Sequence, residues 1–126
     1  MTAEEELIRR YFDAFNRHDL ESVVACFHDQ AVLLSSSGKR LVGLAEVRRS
    51  YETEFASFPD AHCQLRVCVG NSGHGVAESF FSGTRAGHGR IEAIGAEVIE
   101  IEDGKIKEIR DYHQPVPANS DQGART

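Results

Sequence analysis

The order of apolar and polar positions divides the chain into helical stretches followed by strands. Leu7, Ile8, Tyr11, Phe12 and Phe15 recur at helical spacing, and Thr2 with Glu5 makes a capping-box start ahead of them. The pattern predicts an amphipathic helix ending near Arg17. Asp19 reads as the N-cap of a second, shorter helix with Leu20, Val23, Val24 and Phe27 inward. "AVLLS" (31–35) is rich in strand formers, "SSGKR" supplies a turn, and "LVG" pairs back. Leu44, Val47, Tyr51 and Phe55 mark a third helix, closed off before Pro59.

From there the period changes to two. In "CQLRVCV" (63–69), Cys63, Leu65, Val67 and Val69 share one face, with Gln64, Arg66 and Cys68 on the other. "NSGHG" is a turn, and "VAESFFSGT" a strand with Phe80 and Phe81 on opposite faces. Residues 90–102 form a longer strand, and "EDGK" makes a tight hairpin into "IKEIRDYH". The order predicts an α+β domain, with three helices packed on a curved, mostly antiparallel sheet that encloses a pocket. One domain over 1–115 is expected, followed by a flexible tail over 116–126, where periodicity ends.

Alternation then singles out candidate chemistry. In the long strand Ile91, Ala93, Gly95, Glu97, Ile99 and Ile101 share the more apolar face, so Glu97 is a carboxylate among apolar residues. Such a group is paired, hydrogen-bonded or shifted towards neutrality. An edge position, a bulge or a buried cationic partner would account for it; so would a cavity. In the last strand Asp111 and His113 share the parity of Ile109, and Tyr112 faces away. They read either as solvated strand-end groups or as members of the same concavity as Glu97. Tyr11 lies on the inner face of the first helix, where its hydroxyl needs a partner: a backbone carbonyl or a pocket group. Ser35, at the end of the first strand, is a weaker candidate. Phe15, Phe55, Phe80 and Ile99 are the expected apolar lining.

Composition narrows the partners. The 126 residues carry a formal charge of −6, which disfavours nucleic acid, because backbone neutralisation needs a basic face. No apolar run is long enough for a membrane helix, and "MTAEEELIRR" is acidic and then helical, unlike a signal peptide, so a cytoplasmic location is expected. The three cysteines form no C-x-x-C pair and read as buried free thiols; the histidines have no metal-ligand spacing. Neither metal nor cofactor is expected.

"YFDAFNRHDLESVVACFHDQAVL", "GLAEVRRSYETEFASFPDAH", "SGT" and "AEVIEIEDGKIKEIRDY" together resemble the SnoaL-like polyketide cyclase group of the nuclear transport factor two-like superfamily. The likeness runs from about Glu5 to Gln114 and implies a cone-like α+β barrel with a deep pocket. By resemblance to ketosteroid isomerases, Tyr11 matches their oxyanion tyrosine and Glu97 their protonated oxyanion-hole acid. Their general base falls at Ser35, which cannot replace it unaided. Resemblance to limonene epoxide hydrolase covers "IRDY", but its Arg-x-Asp pair is missing from "ESFFS". Where relatives finish near "RDYWD", this chain reads "RDYHQ", so His113 stands ready to take over proton transfer. The expectation is a cofactor-free isomerase or cyclase using acid–base chemistry on an apolar carbonyl compound. The alternative is a non-catalytic small-ligand-binding or dimerisation module. The partners expected are a small hydrophobic molecule and a second copy, docked through a polar outer sheet face.

Overall fold

In the computed structural model, which describes residues 1–117, helices α1 (Ala3–Asn16) and α2 (Leu20–Ala25) precede β1 (Phe27–Leu34) and β2 (Arg40–Val42). Helix α3 (Leu44–Ser57) then leads into β3 (His62–Asn71), β4 (His74–Arg85), β5 (Gly89–Glu102) and β6 (Lys105–Pro115). The strands form one sheet in the order β2-β1-β6-β5-β4-β3, antiparallel except where β1 runs parallel to β6. The sheet is open: β2 and β3 are its two edges, so the barrel is a cone rather than a closed cylinder. The expected tail lies outside the described residues from 118 onward, and Val116 still donates its N–H to Glu92 O at 2.9 Å.

Local chemistry explains the helix positions. The α1 capping box is present in both directions, Glu5 N to Thr2 Oγ1 at 3.1 Å and Thr2 N to Glu5 Oε1 at 3.2 Å. The same two residues tie α1 to the sheet, because Thr2 Oγ1 donates to Gly70 O and Gly70 N donates to Glu5 Oε2. At the other end Asn16 brackets Cys63, accepting its N–H at 2.7 Å and donating to its carbonyl at 2.9 Å. Helix α1 therefore cannot slide along the face it covers. A Cβ at Gly75 would lie 2.4 Å from Ile8 Cδ1, so a side chain there would displace the tip of Ile8. Asp19 caps α2, accepting from the N–H and hydroxyl of Ser22.

The core lies between the helices and the concave sheet face: Leu7, Ile8, Phe12, Val23, Val47, Ala77, Ile99, Ile106 and Ile109 are buried there. Two details depart from the sequence reading, each through strand irregularity. Strand β1 begins at Phe27, which leaves α2 shorter; its pairing with β6 is interrupted between Phe27 and Val32, and this hides the polar "HDQ" within a strand. Strand β3 shifts register between Leu65 and Val67, so Leu65 and Cys68 pack on the core while Val67 and Val69 turn outward. The outer face is accordingly less polar than its alternation suggested. Val69 is 52% exposed and pairs with the equally outward Val76, and Tyr112 is exposed two strands along.

Candidate functional site

Three antiparallel strands lay a grid on the inner face. Register pairs Gly75, Ile99 and Ile109 in one row, Ala77, Glu97 and Asp111 in the next, and Ser79, Gly95 and His113 in the third. The first row is sealed. The other two carry polar groups, and the sequence parity of Glu97, Asp111 and His113 is the parity found.

Gly95 makes the third row possible. A Cβ on it would lie 2.1 Å from Tyr112 O and 2.6 Å from His113 Cα, so any side chain there would drive β6 away. With nothing on the middle strand, His113 reaches over it to Ser79, Nε2 to Oγ at 2.9 Å. The Ser79 hydroxyl also lies 2.9 and 3.1 Å from the two carboxylate oxygens of Glu97. The other ring nitrogen of His113, Nδ1, is hydrogen-bonded to Asp111 Oδ1. Asp111, His113, Ser79 and Glu97 are thus one unbroken chain. Glu97 is 6% exposed and Ser79 fully buried, whereas the Asp111 side chain is 38% exposed.

Glu97, Asp111 and His113 form one wall of a cavity of about 260 Å³, with Ser79 buried behind them. The remaining wall is mostly apolar: Phe12, Phe15, Leu33, Phe58, Phe81 and Ile109, with Tyr11 and Tyr51 reaching in from α1 and α3. Their hydroxyls meet at 2.6 Å, so Tyr11 finds a side-chain partner rather than a backbone carbonyl. Each hydroxyl has one proton and the contact uses one, which leaves the second O–H free to donate elsewhere. Burial pushes both phenols well above their ordinary range, so they stay protonated.

Electrostatics follow from the apolar surroundings. Burial raises Glu97 to about 7; the nearby Asp111 charge acts in the same direction, and His113 and the Ser79 hydrogen bond oppose it. Burial alone would lower His113, but the hydrogen bond and charge of Asp111, with Glu97, leave it raised. Glu54, on the α3 side of the cavity, is likewise raised to about 7 by burial and by Asp111. Glu97 and Glu54, both raised to about 7, share the cavity with the raised His113, so two carboxyls there are able to give or take a proton near neutrality.

The other candidates sort themselves by position. Phe15 and Ser35 line the cavity, though the Ser35 hydroxyl is engaged in closing its own turn, with Ser37 Oγ at 2.8 Å and Lys39 N at 3.2 Å. Phe55, Phe80 and Ile99 are not among the lining residues. Phe55 stacks on His18, 4.7 Å between centroids, one helical step behind Tyr51. Phe80 points out of the concave face, with Arg66 over its ring at 4.8 Å. Ile99 is wholly buried in the sealed row. Three positions of the site escaped the sequence reading: Tyr51, which figures there only in the α3 stripe, Glu54 and Ser79. Glu54 follows Val47 and Tyr51 at helical spacing, which puts it on the inner stripe of α3. Ser79 shares the parity of the inward Ala77 and Phe81, but a serine in a strand announces nothing until its cross-strand neighbours are known.

Cys63, Glu97 and His113 also bring donor atoms within 4.8 Å of one another. Their mixture of sulfur, oxygen and nitrogen would suit a divalent transition metal. In the described structure, however, Ser79 already binds Glu97 to His113, and burial pushes the Cys63 thiol up to about 12. His28, Glu102 and Asp103 make a second such group, more exposed and away from the cavity.

A family model described as the SnoaL-like domain matches residues 8–109. The chain belongs to the SnoaL-like family. Solved structures agree on the fold. A Shewanella putrefaciens CN-32 protein described as a SnoaL-like polyketide cyclase superposes with a TM-score of 0.78 at 11% identity, over 90% of each chain. An M. tuberculosis LEH-like epoxide hydrolase superposes with a TM-score of 0.78 at 17% identity, over 89% of this chain and 83% of its own. A Catenulispora acidiphila DSM 44928 protein of ketosteroid isomerase-like fold, solved with trimethylamine, gives 0.73 at 12% identity, over 91% and 87%. These likenesses show that the SnoaL-like chain shares its fold with proteins described as a polyketide cyclase, an epoxide hydrolase and a ketosteroid isomerase-like protein. A search of curated proteins finds no match.

Proposed function

We propose that this SnoaL-like protein is a cofactor-independent isomerase or cyclase that acts by acid–base chemistry on a small, largely apolar carbonyl compound. The observation that carries the reading is an apolar cavity with the Asp111 and Glu97 carboxyls on one wall, joined through His113 and Ser79. At about 260 Å³ the cavity sits just under the roughly 300–1,000 Å³ of drug-sized ligand sites, which favours a small ring or short-chain substrate.

Roles follow from availability. Both ring nitrogens of His113 are engaged, so it conducts and orients rather than meeting the substrate directly. Asp111, half-exposed at the mouth, keeps an oxygen free and removes a proton alpha to the carbonyl. The enolate oxygen is then held by the spare Tyr11 or Tyr51 hydroxyl and by neutral Glu97. General acid–base catalysis contributes typically 10²–10⁴-fold, and an oxyanion donor about 10²–10³-fold. The test is deuterium incorporation from D2O into a panel of small cyclic ketones, followed by ¹H NMR. Exchange at the alpha carbon that disappears in Asp111→Asn supports the reading; solvent-rate exchange for every compound removes it.

The outer sheet face supports a homodimer. Val67, Val69, Val76 and Tyr112 are exposed together on β3, β4 and β6, an apolar band that a second copy would cover. Light scattering of Val69→Glu, expected to halve the mass of the wild-type species, tests it; a wild-type monomer refutes it. Three free cysteines fit a reducing, cytoplasmic setting.

A further inference from the structure

The connectivity Asp111 to His113 to Ser79 has the order of a hydrolase triad, but Ser79 is fully buried and absent from the cavity lining. A hydroxyl buried behind the wall is out of reach of a molecule in the cavity, so a nucleophilic serine is the wrong reading. What the hydroxyl does touch is a base on one side and a carboxyl on the other.

We propose that Ser79 is the bridge of a proton-transfer chain linking Glu97, deep in the cavity, to Asp111 at its mouth. The hydrogen-bond arithmetic admits two complete arrangements. In one, Glu97 O–H donates to Ser79 Oγ, the Ser79 O–H donates to His113 Nε2, and His113 Nδ1–H donates to an ionised Asp111. In the other every bond is reversed: Asp111 O–H donates to Nδ1, Nε2–H donates to Ser79, and Ser79 O–H donates to an ionised Glu97. The proton count is the same. Passing from the first to the second breaks the O–H of Glu97, the O–H of Ser79 and the Nδ1–H, and forms an O–H on Ser79, an Nε2–H and an O–H on Asp111. One proton has moved from Glu97 to Asp111, and an imidazolium between two carboxylates is the halfway state.

Glu97 and His113 are both raised towards neutrality, and the groups facing them from other elements are Glu54 and Tyr51 of α3, Tyr11 of α1 and Cys63 of β3. Of these only Glu54 adds a charge near pH 7; the phenols and the thiol stay protonated. The chain gives a buried acid access to solvent through Asp111. It also keeps the two catalytic ends in opposite protonation states, one acid and one base. This deepens the acid–base reading of the site and rests on it only for its use in turnover.

The experiment reads proton position in the ligand-free protein. Side-chain ¹⁵N shifts of His113 near pH 7 are compared in wild type, Ser79→Ala, Ser79→Thr and Glu97→Gln. In the wild type both ring nitrogens are expected between the protonated and bare limits. In Ser79→Ala and Glu97→Gln the ring locks, with Nδ1 protonated towards Asp111 and Nε2 moved to the bare limit or, beside glutamine, to the neutral acceptor limit. Ser79→Thr, which keeps the hydroxyl, restores the shared pattern. Identical shifts in wild type and Ser79→Ala, or a wild-type ring already locked as in Glu97→Gln, overturn the proposal. Glu97→Gln leaves Ser79 in place, so it decides the matter even where Ser79→Ala folds poorly. Locked variants with no ketone exchange in any form retain the chain and remove the isomerase; exchange with unmoved shifts does the reverse.

Discussion

Two residues along each of three strands separate a sealed core from a chemical site. Gly75 and Ile99 close the lower part of the concave face, with Ile109 at its border with the cavity, whereas Ser79, Glu97, Asp111 and His113 occupy the upper part on the same strands and the same parity. The backbone pairing is alike in the two regions. They differ in what lies above them: Ile8 of α1 sits over Gly75 in the first, and an open volume lies over the second. The lesson is that one strand alternation serves both ends, and the cavity decides whether a polar side chain is a cost or a tool.

The comparison breaks most visibly by exchanging the fates of neighbouring positions. Asp111→Asn is expected to lower ketone exchange by about 10²–10⁴-fold while moving the unfolding midpoint little. Ile99→Ala, one row away, should cost about 2–5 kcal/mol in denaturant unfolding, with exchange per folded molecule retained. If both variants lose activity and stability in parallel, the two regions are not separable in the way described.

Gly95→Ala tests what holds the upper region together. Its Cβ would collide with the β6 backbone, which no rotamer change relieves, so a loss of about 3 kcal/mol and a displaced His113 are expected. A smaller effect follows from Glu97. Its folded pKa is raised from 4.5 to about 7, so its contribution to stability is complete below pH 4.5 and is lost as pH rises through 7. Glu54 and His113 act with the same sign, because both are also raised. Chemical denaturation across pH 4.5 to 8 should therefore show falling stability, with Glu97→Gln flattening the slope by about 1–3 kcal/mol.

Much of this was legible in the sequence because it depends on near neighbours. The Thr2–Glu5 capping box, the α3 stripe and the Asp103–Gly104 hairpin are written within a few residues each. So was the inward parity of Glu97, since alternation survives along an unbroken strand. What was not legible depends on strand irregularity or on contacts across strands. The register shift after Leu65 turned Val67 and Val69 outward without any residue that signals it. Phe80, an expected lining residue, alternates with Phe81, so only one of the two can face the cavity, and that one is Phe81. Ser79 acquires meaning only from His113, 34 residues on, and from the bare Gly95 between them.

The central claim is that Glu97 is a neutral acid held in an apolar cavity and tied through Ser79 to a base. The most direct test is the pH titration of the Glu97 side-chain carboxyl by ¹³C NMR in the ligand-free protein. A midpoint near 7 is the predicted result, and one near the ordinary 4.5 would contradict the account.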